Sequence, residues 1–335
     1  MIPIVYKGLF RRIGVKETAN ASAFRKGSKM EQTTQPRHAY LITAHNKKAQ
    51  LLTLLRLLDD PFNDIYLHID KKAQGFEEAE LAAAAPSCRV QLVPRLDARW
   101  GSEVFIDAIV SLIALASEEE HAFYHLLSGV DLPLKTQREI RAFFDAHAGQ
   151  EFVSFERETA KPAVIERRIA HWHWQNPIHP LLKKLDRRLA PAFGSLQKLL
   201  GINRMKHASV VFQKGGVWFS ITHALARYAV ETMPRYRAYY RSSSCADEIW
   251  LQTLVANSPF MERRAFMGWD DEMAATMRYV DWSGGGASPR TLMSADYDML
   301  MESGMLFARK FDADKDAAVI QRISEAILTE QRKNQ

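Results

Sequence analysis

Short apolar segments alternate with amphipathic helical patterns through the first third of the chain, and this alternation constrains the fold most strongly. Four apolar segments have the length and composition of β-strands: HAYLITA, DIYLHID, CRVQLVP and FYHLLS. Between them, KKAQLLTLLRLL and residues 102–116 carry apolar residues at helical spacing. This alternation predicts an α/β fold with a mostly parallel, Rossmann-type sheet covered by helices on both faces.

In a parallel sheet of this kind, ligands bind beyond the carboxyl ends of the strands. The residues that directly follow each apolar segment are therefore the first candidates for a binding site. They are His45 and Asn46, Asp70 and Lys71, Arg99 and Trp100, and Ser128 to Asp131.

The pattern changes in the middle of the chain. Residues 156–206 are basic and aromatic, and predict helical excursions and loops over the sheet. Strand-like SVVFQ and VWFSI follow, then a helix from Thr222 to about Met233 and a helix in SSSCADEIWLQTLVANSP. The last third predicts a strand in MRYVDW, a glycine-rich loop in SGGGASPR and two helical segments around LFARKFD.

The excess positive charge of the chain is confined to its N-terminus. The formal net charge is +6 and the pI is about 9.2, which at first favours an acidic partner such as nucleic acid. Residues 1–37 carry the whole excess, however, and the remaining chain has equal numbers of the two signs. We therefore predict a basic, flexible extension over residues 1–37, and no nucleic-acid partner.

This extension has three interpretations. It is a weak anchor to anionic lipid, an unstructured leader or, if translation starts at Met30, a segment whose first 29 residues are not made. No apolar window approaches the ~18 residues of a membrane span, and no secretion signal is recognisable. Only Cys88 and Cys245 are present, which suits a reducing compartment. We expect a cytoplasmic protein, with peripheral association at the inner face of the membrane.

Several segments together resemble one enzyme family. They are AYLITAHNK, YLHIDKK followed by RWGS, YHLLSGVDLPLKT, and the later pair CADEIWLQTLVANS and LFARKFD. Their order and approximate spacing, from about Ala39 to Asp316, are similar to those of the core-2/I-branching enzymes, glycosyltransferase family 14, which includes the peptide xylosyltransferases. The chain looks like a bacterial-type member. The resemblance implies a GT-A-like nucleotide-sugar fold, an inverting reaction and a UDP-sugar donor.

Donor contacts are expected at the ends of the predicted strands. Asp70 ends YLHI, where a carboxylate can accept hydrogen bonds from a uracil imide or a ribose hydroxyl, and the resemblance places a nucleotide contact there. Thr43 and His45 end the preceding strand, Asp131 follows a buried strand, and Trp282 is expected to flank the nucleotide. From position alone, a capping Asp70 and a turn Asp131 remain alternatives.

The leaving diphosphate needs positive charge, which many GT-A enzymes supply with a metal held by a D-x-D pair. The D-x-D string Asp312 and Asp314 lies in a stretch similar to the family's terminal motif, and we interpret it as a helix start. The resemblance implies a metal-independent reaction instead. Lys310 and Arg290 would then bind the diphosphate, with Arg309 as the alternative partner of Lys310.

An inverting transfer needs one carboxylate to take the proton of the attacking hydroxyl. Glu248 in ADEIW matches the family's catalytic base, with a helix after it to position it. Taken alone, a Glu in a first helical turn more often complements the helix dipole. Asp247 is assigned only a supporting role. A catalytic thiol at Cys245 is disfavoured, because neighbouring carboxylates suppress the thiolate.

Acceptor contacts are predicted in and near the basic, aromatic middle of the chain. The resemblance places them at Glu156, after EFVSF, and at Arg167. Trp172 and Trp174 offer aromatic faces on which a sugar can stack. Trp218 matches an aromatic position beside the family's active site, although core packing is the commoner role for such a residue.

Three histidines in the same region, His171, His173 and His179, suggest a metal site. The H-x-H spacing directs both imidazoles to one side only in a strand, and no carboxylate follows at ligand spacing. A metal site is therefore disfavoured.

The sequence thus predicts one GT-A-like domain over residues 38–335 with an acceptor-side insertion at about 156–206. The predicted activity is metal-independent, inverting transfer of GlcNAc, or next xylose, from UDP to a hydroxyl of a saccharide, lipid-linked or peptide acceptor. No cofactor is expected beyond the donor, and polysaccharide assembly is the natural context. The alternative is a non-catalytic protein of the same fold that binds nucleotide sugars or carbohydrate.

Overall fold

The computed structural model describes residues 36–99, 101–157, 163–173 and 192–333. Nearly all of the predicted N-terminal extension therefore lies outside the described residues. So do Trp100, Trp174, His179 and parts of the predicted insertion.

A five-stranded sheet forms the centre of the domain. In spatial order its strands are β3 (Arg89–Leu92), β2 (Asn63–Ile69), β1 (His38–Ala44), β4 (Phe123–Ser128) and β6 (Ser220–Thr222). The first four are parallel, and β6 runs antiparallel to β4. The predicted mostly parallel α/β fold of Rossmann type is therefore confirmed.

Helices cover the sheet on both faces, as the complete burial of β1 and β2 requires. They are α1 (Lys48–Leu58), α2 (Glu78–Ala83), α3 (Glu103–Ala116) and α4 (Gln137–Ala146). Tyr40 and Ile42 on one face join residues of α1, α2 and α4 in an apolar cluster, and α3 packs against β1 and β2. Helix α4 was not predicted, although Thr136 and Glu139 form a capping box at its start.

A second, three-stranded sheet carries the segment LFARK to the carboxyl edge of the first. Strand β8 (Phe307–Arg309) pairs antiparallel with β5 (Leu132–Pro133) and parallel with β7 (Arg278–Val280). The amide of Phe311 donates to the Val130 carbonyl at 3.0 Å. The loop after β4 and the segment after β8 are thus joined.

The second half of the chain departs from the predicted elements. The strand predicted in VWFSI shortens to β6, and the helix after it, α7 (His223–Tyr240), runs past its predicted end. The helix predicted in SSSCADEIWLQTLVANSP divides into a 3₁₀ turn at Ala246–Glu248 and α8 (Trp250–Ala256). The remaining helices are α5 (Ala163–Ile165) with a π-helix at Glu166–Ala170, α6 (192–199), α9 (Glu272–Thr276), α10 (Tyr297–Glu302) and α11 (Ala317–Lys333), besides 3₁₀ turns at Pro259–Arg263 and Ser294–Asp296.

The prediction of a strand in SVVFQ is wrong. The amide and carbonyl of Val211 both pair with the Asn257 side chain, at 2.9 Å each. The amide of Gln213 donates to the Thr253 hydroxyl at 3.1 Å. Because α8 and its C-terminus satisfy this backbone, the segment needs no neighbouring strand. Among the described residues, no helix is both long enough and apolar enough to cross a membrane.

Candidate active site

The carboxyl ends of β1, β2 and β4 lie side by side, and hydrogen bonds join the loops that leave them. The amide of Asp70 donates to the Ala44 carbonyl (2.8 Å), and the amide of Gly129 donates to the Thr43 carbonyl (2.9 Å). Thr43 is almost buried, whereas His45 is exposed. The donor residues predicted on these segments therefore share one edge of the sheet.

Backbone donors hold the Asp70 carboxylate. Oδ1 accepts the amide hydrogen of Lys72 and Oδ2 accepts that of Ala98, both at 2.9 Å. These bonds join the turn after β2 to the loop after β3, and α2 begins only at Glu78, so Asp70 is not a helix cap. A nucleotide would bond to the remaining lone pairs of the two oxygens.

Asp131 is buried and pairs with the guanidinium of Arg309. Its oxygens accept hydrogen bonds from the Ser128 amide (2.8 Å) and hydroxyl (2.6 Å), and Oδ1 lies 3.4 Å from Nε of Arg309. Cζ of Arg309 stands 3.9 Å from the centre of the Trp218 ring. Burial lowers the pKa of Arg309, and the Asp131 and Glu272 carboxylates oppose this shift. Asp131 thus fixes an arginine on an aromatic platform.

Lys310 lies directly after β8, beside other cations. Its Nζ is 2.5 Å from Oγ of Ser288, and its carbonyl accepts the Leu292 amide hydrogen at 2.9 Å. Partial burial lowers the pKa of Lys310, and the positive charges of Arg309 and Lys315 lower it further. An anionic ligand would relieve the repulsion in this group of cations.

Arg290 is engaged by two carboxylates. Its Nε donates to Asp281 at 2.7 Å, and both of its terminal nitrogens donate to Asp296 at 2.9 Å. These carboxylates raise the pKa of Arg290, while hydrogen bonds from Ser283 and Arg290 lower the pKa of Asp281 to about 2. The guanidinium predicted to bind diphosphate therefore joins two parts of a loop.

The D-x-D carboxylates contact the loop after β1. Nζ of Lys47 lies 2.5 Å from Oδ1 of Asp312 and also contacts the Asp314 carboxylate. Helix α11 follows, and its N-terminus is capped by Asp316, which accepts the Val319 amide hydrogen at 3.1 Å. The pair therefore precedes a helix start, as interpreted, but a third aspartate makes the cap.

Glu248 lies in the 3₁₀ turn before α8 and not in the first turn of a long helix. Its Oε2 accepts a hydrogen bond from Nη1 of Arg168 (2.6 Å) and lies 3.4 Å from Nζ of Lys214. About 31% of the Glu248 side chain is exposed. The carboxylate is thus oriented by two cations and still reaches solvent.

Glu156 shares a cation with Glu248. The Glu156 carboxylate contacts Nζ of Lys214, and the Glu156 amide donates to the Lys214 carbonyl at 2.9 Å. The structure therefore brings this predicted acceptor residue and the predicted base to one lysine. Trp218, by contrast, is nearly buried beneath Arg309.

Arg168 reaches Glu248, whereas the predicted Arg167 does not make this contact. Both belong to the π-helix, and adjacent side chains of a helix point in different directions. Arg167 is exposed, and its carbonyl accepts a hydrogen bond from Nε2 of His173 at 2.8 Å. Trp172 is half-exposed, with one ring face covered by Arg204 at 4.0 Å.

Glu272 is a site residue that the sequence did not suggest. Its Oε2 accepts the indole hydrogen of Trp282 at 3.0 Å, and burial raises the pKa of its carboxyl group. A Cβ on Gly216 would lie 2.3 Å from Oε1 of Glu272, and one on Gly215 would lie 2.0 Å from the Ser154 carbonyl oxygen. The KGG triplet before VWFSI is the sequence signal of this close packing.

Asp247 and Cys245 flank the base and remain uncharged more readily than usual. Burial and the Glu248 charge raise the pKa of Asp247 to about 6. Burial and the Asp247 charge raise the pKa of the Cys245 thiol. Among the described residues, which omit His179, no three His, Cys, Asp or Glu side chains form a group that could hold a metal ion.

The sheet and the polar residues beyond its carboxyl edge define the class of a ligand-binding α/β domain with a carboxylate at its site. The family model of the core-2/I-branching enzymes matches residues 38–300, so the chain belongs to that family. It is therefore a glycosyltransferase that uses a nucleotide sugar. Its mostly parallel sheet covered by helices agrees with the GT-A-like fold that the resemblance implied. No curated protein matches the chain.

The solved structures that are similar to the chain include two transferases. Mouse xyloside xylosyltransferase 1 in its apo form is 11% identical with a TM-score of 0.34, and the match covers 82% of this chain and 97% of that one. Core-mannan synthase A of Aspergillus fumigatus, with manganese and GDP, is 9% identical with a TM-score of 0.36; the match covers 70% and 73% of the two chains. At these scores neither likeness carries an argument, and the family assignment rests on the sequence match.

Proposed function

We propose that the protein is an inverting glycosyltransferase that moves a sugar from a UDP donor to an acceptor hydroxyl, with Glu248 as general base. The observation that supports this best is the Glu248 carboxylate. It is held by Arg168 and Lys214, reaches solvent and shares Lys214 with Glu156.

In the proposed step, the acceptor hydroxyl gives its proton to the Glu248 carboxylate while its oxygen bonds to the anomeric carbon. The bond between that carbon and the diphosphate oxygen breaks on the opposite face of the sugar, and UDP leaves with the electron pair. Arg168 and Lys214 hold the carboxylate in place. Glu156, Arg167 and Trp172 remain the proposed acceptor contacts, whereas Trp218, nearly buried beneath Arg309, packs in the core.

Side-chain cations would stabilise the leaving diphosphate. We assign Lys310 to it, because the ammonium follows β8 directly and lies near the positive charges of Arg309 and Lys315. A cation ~4 Å from a phosphate oxygen is worth on the order of 4 kcal/mol at an effective dielectric of 20. Arg290 holds the loop that carries Ser288, and a diphosphate would compete with Asp281 and Asp296 for its guanidinium.

Metal independence is tested by transfer in excess EDTA. Activity should persist there, because the proposal gives the diphosphate charge to Lys310. Complete loss with EDTA, restored by manganese, would contradict a metal-free mechanism.

The proposed donor is UDP-GlcNAc, with UDP-xylose next. Asp70, Thr43 and His45 would contact the nucleoside, and Trp282, which is 49% exposed, would flank it. A panel of UDP-sugars and GDP-mannose, read as nucleotide released with and without simple sugar acceptors, tests this. Release from GDP-mannose alone would reject the UDP donor.

A non-catalytic binding protein is the second candidate. The ion pairs of Glu248 with Arg168 and Lys214 favour it, because a doubly paired carboxylate can also serve structure alone. Binding of UDP-sugars without release of UDP at any acceptor would support this candidate.

We further propose a saccharide, lipid-linked or peptide hydroxyl as acceptor, in polysaccharide assembly on the cytoplasmic side of a membrane. The basic composition of residues 1–37 supports weak contact of that segment with anionic lipid. Cell fractionation with and without high salt tests this location, since salt should release an electrostatic contact.

A further inference from the structure

Helix α6 exposes a row of large apolar side chains to solvent. Phe193, Leu196 and Leu199 in the helix and Leu200 directly after it are 37%, 50%, 84% and 64% exposed, and their spacing places them on one side. A surface helix ordinarily buries such a stripe against its own domain. We call these four side chains the α6 face. Within the described ranges, it is a concentrated apolar surface of the kind that marks an interaction site.

Polar contacts fix which side of α6 faces outward. Gln197, which is almost buried, accepts the Trp172 amide hydrogen (2.8 Å) and donates to the Trp172 carbonyl (2.9 Å). Just beyond the helix, Arg204 donates to the carbonyls of Ala238 and Tyr239 at 2.9 and 3.0 Å. The helix is thus attached through amides and a guanidinium, and its leucines are left outside.

The chain segment that carries the α6 face is basic in sequence. From residue 192 to residue 230 the sequence contains no Asp or Glu, and Lys198, Lys206 and His207 are exposed there. The Glu103 carboxylate on α3 opposes the lowering of the pKa of Arg204 by burial. Arg204 donates to a backbone carbonyl of the domain and is not one of these exposed cations. An apolar stripe with cationic flanks matches the interface of an anionic bilayer in both hydrophobicity and charge.

We propose that the α6 face docks on an anionic lipid surface. The helix would lie in the plane of the interface, with its leucines among the upper acyl chains and Lys198, together with Lys206 beyond the helix, near the lipid phosphates. A second copy of the chain would cover the leucines but would repel the cationic flanks. Charge complementarity therefore selects the lipid.

Docking would place the proposed acceptor side at the membrane. Trp172 is bonded to Gln197 of α6, and the π-helix just before Trp172 carries Arg168, which holds Glu248. A lipid-linked acceptor could then enter from the bilayer. The inference itself concerns the α6 face and does not depend on the reaction.

The test measures binding of the full chain to vesicles of phosphatidylcholine, with and without one-third phosphatidylglycerol, by sedimentation. The variant Leu196→Gln/Leu199→Gln/Leu200→Gln should bind the anionic vesicles at least tenfold more weakly than the wild type. The control variant Met267→Gln/Met299→Gln changes exposed apolar residues elsewhere and should bind like the wild type. Lys198→Gln/Lys206→Gln should weaken binding several-fold, and only to anionic vesicles.

Residues 1–37 are unchanged in every variant, so their own attraction to lipid cancels in the comparison. Equal binding by the triple variant and the wild type overturns the proposal, as does absence of wild-type binding. A wild-type dimer that becomes monomeric in the triple variant by light scattering would assign the face to a second copy instead. Turnover of a soluble acceptor should be the same in the triple variant, so this test and that of the proposed function fail independently.

Discussion

At the residue scale, Glu248 is oriented by cations from two distant segments, and its proposed role needs a basic oxygen. Glu248→Gln keeps the size of the side chain and removes that basicity. We expect transfer to fall by roughly 10²- to 10⁴-fold, the usual contribution of a general base. UDP affinity, measured by calorimetry, should stay within about twofold, because the proposed donor contacts lie elsewhere.

The matched control for Glu248→Gln is Glu262→Gln, in the neighbouring 3₁₀ turn at Pro259–Arg263, which should leave transfer unchanged. A variant at Glu248 that loses UDP affinity instead of turnover would make this residue a donor contact and not a base.

The two adjacent arginines of the π-helix allow a sharper comparison. Arg168 donates to Glu248 at 2.6 Å, whereas Arg167 is exposed. Arg168→Met should therefore lower kcat by about tenfold or more by releasing the carboxylate, a cost in the range of a lost charge-assisted hydrogen bond. Arg167→Met should leave kcat near the wild type and change at most the KM of the acceptor. Equal effects on kcat would contradict the structural assignment.

At the element scale, the turn that enters β6 is packed too closely for a side chain. A methyl group on Gly216 would meet Oε1 of Glu272 at 2.3 Å and the Ser154 hydroxyl at 3.0 Å. Gly216→Ala should displace Glu272 from Trp282, lower transfer at least tenfold and shift the tryptophan fluorescence. Gly284→Ala, where the added methyl group meets open space, is the control and should match the wild type in both measurements.

The elements that the sequence predicted correctly are those that local pattern determines. Strands β1 and β2 are fully buried and β4 almost so, and all three read as short apolar segments. Helix α3 shows its apolar spacing directly. SVVFQ has the composition of a strand but pairs with the Asn257 side chain across 46 residues. The hydrogen bond from Arg168 in the π-helix to Glu248, 80 residues away, likewise has no local pattern that predicts it.

At the scale of the whole molecule, the site residues that the sequence predicted lie in recognisable local patterns, and the residues that it missed depend on contacts between distant segments. Glu248 and Lys310 lie in segments that resemble motifs of the family, in the 3₁₀ turn before α8 and directly after β8. Lys214 and Glu272 belong to no motif and gain their positions only when distant segments pack. The carboxylate partners of Arg290 are close in sequence, yet only the fold shows that both are used.

The free energy of unfolding should depend on pH through the titration of Asp247. Its pKa is about 6 when folded, against an ordinary value of 3.8, so the native state binds this proton more tightly than the unfolded chain. The wild type therefore loses stability as pH rises from about 4 to about 6, by up to about 3 kcal/mol. Asp247→Asn has no such charge, so its stability relative to the wild type should increase over this interval and stay constant above it.

Thermal or urea denaturation of both proteins from pH 4 to pH 8 measures this effect. Other buried groups titrate in the same range, since burial raises the pKa of Glu151 to about 7 and lowers that of His68 to about 4. Both groups are present in the wild type and the variant, so the difference between the two curves isolates Asp247. Curves that stay parallel from pH 4 to pH 8 would show that this carboxyl group has an ordinary pKa in the folded protein.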